Sequence, residues 1–267
     1  MTPRNFLVRG LLAGFIASLF SFGVAYTVGE PQVDAAIAVE EANAAAAPAD
    51  EAAEPSDGHT HSHGDDAEES GTEVSRDNQS TFGLATGILT VGTALGGVIG
   101  LASAFAVGRL GRLRPSQSTA VVALVGYVSF SLVPFLKYPA TPPAVGNGDT
   151  IGDRTLYYFT VQGISILAAI AAVLVARRLL DRIGTYRTLL ATVGGFLVVV
   201  VVTALAMPTV NELGDFPADI LWYFRLSSLL TNVTLWAGIG IILVGLVGRL
   251  HEQEAVKVAR RDLAASL

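Results

Sequence analysis

Three histidines occupy alternate positions in the stretch GHTHSHGDD of this chain. Alternate spacing places His59, His61 and His63 on one side of an extended backbone. Imidazoles beside carboxylates suit Co²⁺, Ni²⁺, Zn²⁺ and Cu²⁺, so the pattern predicts metal binding without choosing the metal. The alternative is a solvated polar linker that holds metal only weakly.

Carboxylates recur in three other segments. One is GEPQVDAAIAVEE, after an early apolar run, and the others are FLKYPATPPAVGNGDTIGDRT at 135–155 and MPTVNELGDFPADILWYFRLSSL at 207–229. If the three segments share one face of a membrane, their carboxylates form a funnel that attracts a divalent cation. Each loop also has a plainer explanation, because prolines, glycines and helix-capping acids suit an ordinary connection.

The elements that position these residues are membrane helices. The chain has 267 residues, of which 51% are hydrophobic and only 15% are charged. A soluble domain carries about 25% charged residues, so an ordinary soluble enzyme is excluded. Six apolar runs are long enough to cross a bilayer, which needs about 20 residues. They are Phe6–Val28, Phe82–Val107, Ser118–Leu136, Leu156–Ala176, Thr188–Ala206 and Ser228–Val247. The fold class predicted is an all-α integral membrane bundle of six transmembrane helices.

The connections between these runs alternate in charge. Thirteen of the 17 Lys and Arg residues fall at the N-terminus, in the second and fourth connections and in the C-terminal tail, whereas 19 of the 23 acids fall on the opposite side. Basic residues stay in the cytoplasm, so both termini are predicted to be cytoplasmic. As an alternative, the first run is a signal peptide cleaved near Ala25-Tyr26-Thr27, which leaves five helices.

This topology divides the chain into four parts. Residues 1–28 are the cytoplasmic N-terminus and first helix, 82–248 a five-helix transmembrane domain, and 249–267 a cytoplasmic tail. Residues 29–81 are an extracytoplasmic, acidic, His-bearing loop. We predict that this loop is disordered, because it is rich in Ala, acids, Pro, Ser and Gly and buries little apolar surface.

Polar groups inside the apolar runs are few. No charged residue or histidine lies mid-helix, and Gln162, Thr231 and Asn232 are the first candidates for a polar path, with interhelical hydrogen bonding as the alternative. Glycines repeat every fourth residue over 92–100, a spacing that favours close helix packing and suits a second copy or a small partner helix equally. There is no cysteine, P-loop, HExxH or GxSxG motif, so we predict no enzyme, no permanent cofactor and no nucleic-acid partner.

The segments LVPFLKYPATPPAVGNGDTIGDRT and MPTVNELGDFPADILWYFRLSSL resemble the CbtA family of predicted cobalt transporter subunits. The opening GLLAGFIASLF, the following GEPQVDAAIAVEEA and the turn GRLGRLRP extend the resemblance over nearly the whole chain. It implies a cell-membrane protein that takes up cobalt together with a small one-span CbtB-like subunit. The family is usually described with five spans, where six are counted here. The matching positions imply functional roles for Lys137, Tyr138, Pro139, Asn147, Asn211, Phe216, Pro217 and Arg225, with Glu30, Asp149 and Glu212 as cation-facing oxygens.

The function predicted is a membrane subunit of a divalent metal uptake transporter, with cobalt as the transported or sensed cation and the His/carboxylate loop gathering it. A non-transporting scaffold or metal-sensing subunit is the alternative. A membrane enzyme with an outer active site is less favoured, because no nucleophile–base pair is evident.

Overall fold

A computed structural model describes residues 1–46, 75–111 and 113–266. These residues form six long helices and no strand, and each helix is long and apolar enough to cross a membrane. The helices are α1 (Pro3–Ala46), α2 (Arg76–Ala106), α3 (Pro115–Lys137), α4 (Gly148–Ile183), α5 (Thr185–Ala206) and α6 (Ala218–Ala265). The predicted all-α, multi-pass membrane bundle of six spans is confirmed. His59, His61 and His63 lie outside the described residues.

Glycines bring α1 and α2 into backbone contact. A Cβ added at Gly96 would lie 2.3 Å from Gly10 O and 2.6 Å from Gly14 Cα, and one added at Gly100 would lie 2.5 Å from Phe6 O. Only glycine permits such an approach, so the packing predicted from the four-residue spacing is confirmed. The partner of this face is α1 of the same chain. Over residues 92–100 this face is covered by α1, so a second copy or a small subunit would not pack there, whereas the earlier glycine Gly87 has nothing within 4 Å of an added Cβ.

The buried core lies where α6 packs against α1. Ile239, Leu243 and Val247 on α6 are completely buried, next to Ala13 and Ala17 of α1. A hydrogen bond from Ser21 Oγ to Thr231 O, 3.0 Å long, also joins the two helices. Helix α1 therefore both contributes to the core and covers the glycine face of α2.

The first two helices extend beyond the predicted boundaries of the 29–81 loop. Helix α1 continues to Ala46, and α2 begins at Arg76, where Arg76 Nη2 donates to Glu30 Oε2 and, at 2.8 Å, to Asp34 Oδ1. The composition argument missed the helical part of this segment because alanine and glutamate, which dominate residues 30–46, are strong helix formers.

Two π turns allow helices to pass through prolines. Glu30 N donates to Ala25 O just before Pro31, and Val133 N donates to Val128 O just before Pro134. Proline has no N–H, and its ring clashes with the carbonyl four residues earlier in a regular helix. A wider turn at this point relieves the clash, so α1 and α3 continue without ending.

Helix α5 lies at the edge of the bundle and packs on α4. Only Thr188 and Thr192 are buried along it.

The two ends of the bundle are defined by the segments that lie at each of them. The N-terminal amine of Met1 contacts Glu254 Oε2 at 2.7 Å, so both terminal segments lie at one end, called here the tail end. Residues 138–147 and 207–217 connect helices at the opposite end, called the loop end. The assignment of the tail end to the cytoplasm stays a prediction from the basic residues.

Replacement of Gly96 by alanine tests the α1–α2 contact. We expect Gly96→Ala to lower the free energy of unfolding by about 1–3 kcal/mol, because the new methyl group meets backbone atoms of α1 that cannot move aside independently. Unfolding in detergent, followed by circular dichroism, measures the change. Gly163→Ala on α4 is the control, since nothing lies within 4 Å of its added Cβ. Equal unfolding free energies for Gly96→Ala and Gly163→Ala would contradict the backbone contact between α1 and α2.

Candidate functional site

A cavity of about 780 Å³ opens at the loop end between α3, α4 and α6. Its wall comes from the last turn of α3, the 138–147 loop, the first turns of α4, residues 210–213 and one face of α6. Seven residues singled out from the sequence line it: Lys137, Tyr138, Pro139, Asn211, Glu212, Arg225 and Asn232. The structure therefore brings the two loop motifs into one site.

Side chains at the end of α3 hold the two loops together. Lys137 Nζ donates to Met207 O at 3.1 Å, and the Tyr138 hydroxyl donates to Pro208 O at 2.7 Å. These carbonyls follow the last residue of α5, where the helix supplies no donors. Burial raises the pKa of the Tyr138 phenol, so the hydroxyl stays a neutral donor at ordinary pH. The loops form one cap over the cavity.

Glu212 fastens the same two loops from the other side. Its Oε2 accepts hydrogen bonds from Asn147 N at 2.9 Å and from Thr150 Oγ1 at 3.0 Å, and lies 3.7 Å from Arg154 Nη1. The hydrogen bond from Asn147 N–H, followed by that from Thr150, lowers the pKa of Glu212 below its ordinary value. The ionised carboxylate is thus a clamp, and its second oxygen, Oε1, accepts no hydrogen bond from the described residues.

The 138–147 loop requires glycine beside Arg154. Gly146 has φ +106°, and an added Cβ would lie 2.1 Å from Arg154 Nη1. Arg154 Nη2 donates to Asn147 O at 3.0 Å, while Asn147 Oδ1 accepts from Asp149 N at 3.1 Å and caps the 3₁₀ turn that opens α4. Asn147 therefore orders the loop and the start of α4 rather than lining the cavity.

Positive charge predominates in the cavity wall. Arg154 is balanced by Glu212, but neither Lys137 nor Arg225 has a carboxylate within 4.0 Å in the part of the chain that the structure describes. Arg225 Nε donates only to Ala140 O, at 3.4 Å, which leaves its two terminal nitrogens without a partner among the described residues. Two cations are consequently uncompensated in this site.

Ser228 and Asn232 line the deep end of the cavity. Both also line a second cavity of about 270 Å³, which is bounded by α1, α2 and α6 and includes Thr231. Ser131 Oγ donates to Asn232 Oδ1 at 2.8 Å. Ser228 and Asn232 therefore lie between the two cavities, and Thr231 lines the second one; the polar path through them stays a prediction.

Gln162, the third member of that predicted path, has a different role. Its Nε2 donates to Phe130 O at 2.9 Å, and Phe130 lies four residues before Pro134. Proline cannot donate to that carbonyl, so Gln162 replaces the missing helical hydrogen bond. This agrees with the alternative interpretation, in which polar groups at depth join helices.

The profile of the family described as "Probable cobalt transporter subunit (CbtA)" matches residues 3–248. The chain belongs to the CbtA family. The match includes both loops and every helix that lines the cavity. Comparisons with curated proteins and with solved structures give no match. As a CbtA-family member the chain is a multi-pass membrane protein of a cobalt transport family, and the word subunit implies a partner in a transporter complex.

Several predicted residues of this CbtA chain lie away from the cavity. Glu30 is paired with Arg76, Asp149 is exposed, and Phe216 and Pro217 precede α6, with Pro217 as its N-cap. Within the described ranges no group of three or more His, Cys, Asp or Glu residues could hold a metal ion. Glu30, Asp149 and Glu212 therefore do not form a joint set of ligands.

Sequence reasoning missed four residues that build the site: Thr150, Arg154, Tyr158 and Ser228. For three of the four, a four-residue spacing on one helix could have indicated a shared face. Arg154 and Tyr158 are four residues apart on α4, and Ser228 lies four before Asn232 on α6, so each pair shares a helix face. Arg154 lies within the GDRT part of the family motif, but only the structure reveals its contact with Glu212.

The contacts of Glu212 with Asn147 N, Thr150 and Arg154 make the stability of the loop end depend on pH. The folded-state pKa of Glu212 is below its ordinary value, so its contribution is present above about pH 4.3 and is lost as the pH falls through the folded pKa. We expect the unfolding midpoint of the wild type to fall over this acid range more steeply than that of Glu212→Gln. Asp215→Asn, an exposed acid in the same loop, is the control and should behave like the wild type. Curves of unfolding midpoint against pH that run parallel for the wild type and Glu212→Gln would show that the contacts of Glu212 do not stabilise the fold.

Proposed function

We propose that this chain is the membrane subunit through which cobalt, as the divalent cation, enters the cell, and that the loop-end cavity receives the cargo. The observation that carries the proposal is the assembly of both CbtA loop motifs around one cavity. The cavity also meets a second one at Ser228 and Asn232, which supports a route toward the interior of the bundle.

We further propose that His59, His61 and His63 gather the metal before it reaches the cavity. By the alternation of six spans, the connection between α1 and α2 is at the loop end, like the two loops that cap the cavity. Imidazole and carboxylate together suit cobalt. Glu30 and Asp34 share Arg76 at the base of that connection and leave a net negative charge there. Together with the exposed Asp149, they would raise the local cation concentration without forming a binding site by themselves.

The route inward passes Asn232 in this proposal. Its amide and the Ser228 hydroxyl are neutral, so they offer polar contacts without trapping a charge. No part of the proposal requires catalysis. A partner remains part of it, either a CbtB-like helix or a second copy, and it would bind a surface other than the glycine face, which α1 covers.

The alternative function, a scaffold or metal-sensing subunit, predicts binding without flux. Vesicles that contain the purified chain and a metal-quenched dye separate the two functions. Quenching that follows external Co²⁺, supplied either free or bound to a carboxylate ligand, supports transport. Its absence with both forms in active, correctly oriented vesicles, with or without the partner, supports the alternative.

The histidine tract is tested by cobalt uptake in cells. We expect a deletion strain to accumulate less cobalt than the wild type at nanomolar supply. Replacement of His59, His61 and His63 by alanine should reproduce part of that loss at nanomolar but not micromolar supply, because a gathering step matters only when metal is scarce. Mass spectrometry of washed cells gives the metal content.

The control for the tract is the variant with Thr60 and Ser62 replaced by alanine, which alters the same stretch but leaves its imidazoles. Cobalt content that is equal in all strains at every supply would refute the uptake function. Normal uptake by the triple histidine variant alone would refute only the gathering step.

Asn232 is tested in the same vesicles. We expect Asn232→Leu to slow cobalt entry at least about tenfold, because the change removes a polar group shared by the two cavities and leaves Ser131 without its acceptor. Thr234→Val is the matched control on α6, since Thr234 Oγ1 donates only to Leu230 O of its own helix. Equal rates for both variants would place the route elsewhere.

A further inference from the structure

The charge in the loop-end cavity does not suit a bare metal cation. Among the residues that the structure describes, Lys137 and Arg225 are uncompensated there, and the one carboxylate in the wall, Glu212, already binds Asn147 N, Thr150 and Arg154 through Oε2. A divalent cation entering this space meets like charges in surroundings that screen them less than water does. The wall offers one open carboxylate oxygen, and its other oxygen ligands are neutral, so little in the described wall offsets the repulsion between a divalent cation and the two cationic side chains.

The size and the remaining lining of the cavity also indicate a larger guest. A volume of about 780 Å³ matches the range of pockets for organic ligands rather than a single ion. Phe135, Tyr158 and Phe159 supply apolar and aromatic wall, while the cationic side chains lie on the same surface. Such a combination is typical of sites for organic anions.

We infer that the cavity binds cobalt as an anionic chelate, in which a carboxylate-bearing organic ligand surrounds the metal. This inference rests on the proposed function, since it specifies the form in which the cargo enters. The terminal nitrogens of Arg225 form a planar fork that matches a carboxylate, and Lys137 adds a second positive charge. The metal itself contacts no side chain of the cavity, which accounts for a cationic chamber on a cobalt route.

Two inert cobalt complexes test the inference directly. Cobalt(III)–EDTA is a monoanion, whereas hexaamminecobalt(III) is a trication, and neither exchanges its ligands quickly enough to transfer metal to the protein. The full-length chain is placed in phosphatidylcholine nanodiscs, and binding is measured by equilibrium dialysis with cobalt determined by mass spectrometry. We expect saturable one-to-one binding of the anion. The trication should neither compete with the anion nor bind in the cavity.

Variants locate the binding in the cavity. Arg225→Gln should weaken binding of the anionic complex at least about tenfold, because it removes a charge-assisted hydrogen-bonding group. Arg225→Lys retains the charge and should lose less, which separates an electrostatic role from a structural one. Arg187→Gln removes an exposed cation at the tail end and should leave binding unchanged. Circular dichroism unfolding shows whether each variant is folded.

Three results would overturn the inference. The first is the absence of anion binding at millimolar concentration, and the second is anion binding that Arg225→Gln and Arg187→Gln affect equally. In the third, phosphatidylglycerol in the nanodisc abolishes chelate binding, which would identify the cavity as a site for lipid headgroups. Cobalt uptake by cells that persists alongside any of these results would leave the proposed function intact and reject only the chelate.

Discussion

The bilayer interior provides no water for backbone N–H and C=O groups, so every interruption of a spanning helix must be repaired by the protein itself. In and near the loop end, side chains donate hydrogen bonds to backbone carbonyls that the helices leave unpaired. Gln162 donates to the carbonyl of Phe130 that Pro134 cannot reach, and Lys137 and Tyr138 donate to the carbonyls after α5. Lys137 and Tyr138 of the family motif therefore bind the backbone carbonyls that the end of α5 leaves without helical donors. These hydrogen bonds join the two loops that cap the cavity.

The close α1–α2 contact places this cavity in the bundle. Glycine on both helices lets their backbones touch, and α6 packs its buried Ile239, Leu243 and Val247 against the same region. Helices α1, α2 and the middle of α6 are consequently closely packed around Ile239, Leu243 and Val247, while the second cavity lies nearer the loop end of the same three helices. Helices α3 and α4 complete the wall on the other face of α6, where polar Ser228 and Asn232 replace apolar core residues. Helix α6 thus separates a tightly packed half from an open one.

The sequence predicts the spans well and their interactions poorly. Apolar length alone identifies six helices, since few other structures satisfy a membrane. Helix ends were less accurate, because an Ala- and Glu-rich segment after Glu30 is compatible with both disorder and helix. The resemblance located both loops of the site. No sequence pattern shows that Asn147 N–H and Thr150 donate to Glu212, or that Arg225 has no acidic partner among the described residues. Pairings of this kind depend on which helix faces meet, and that is a property of the packed bundle.

Charge is arranged in a definite order along the proposed route. Acidic residues dominate the loop-end segment between α1 and α2, two uncompensated cations line the cavity, and neutral Ser228 and Asn232 follow. A free divalent cation would be attracted by the first zone and repelled by the second, whereas a free anion would meet the opposite sequence. A metal that carries a carboxylate ligand can interact favourably with both zones, because its metal coordinates to histidine and carboxylate in the first and its anionic ligand meets the cations of the second. The order of charges therefore argues for a metal that crosses the loop end with a ligand attached.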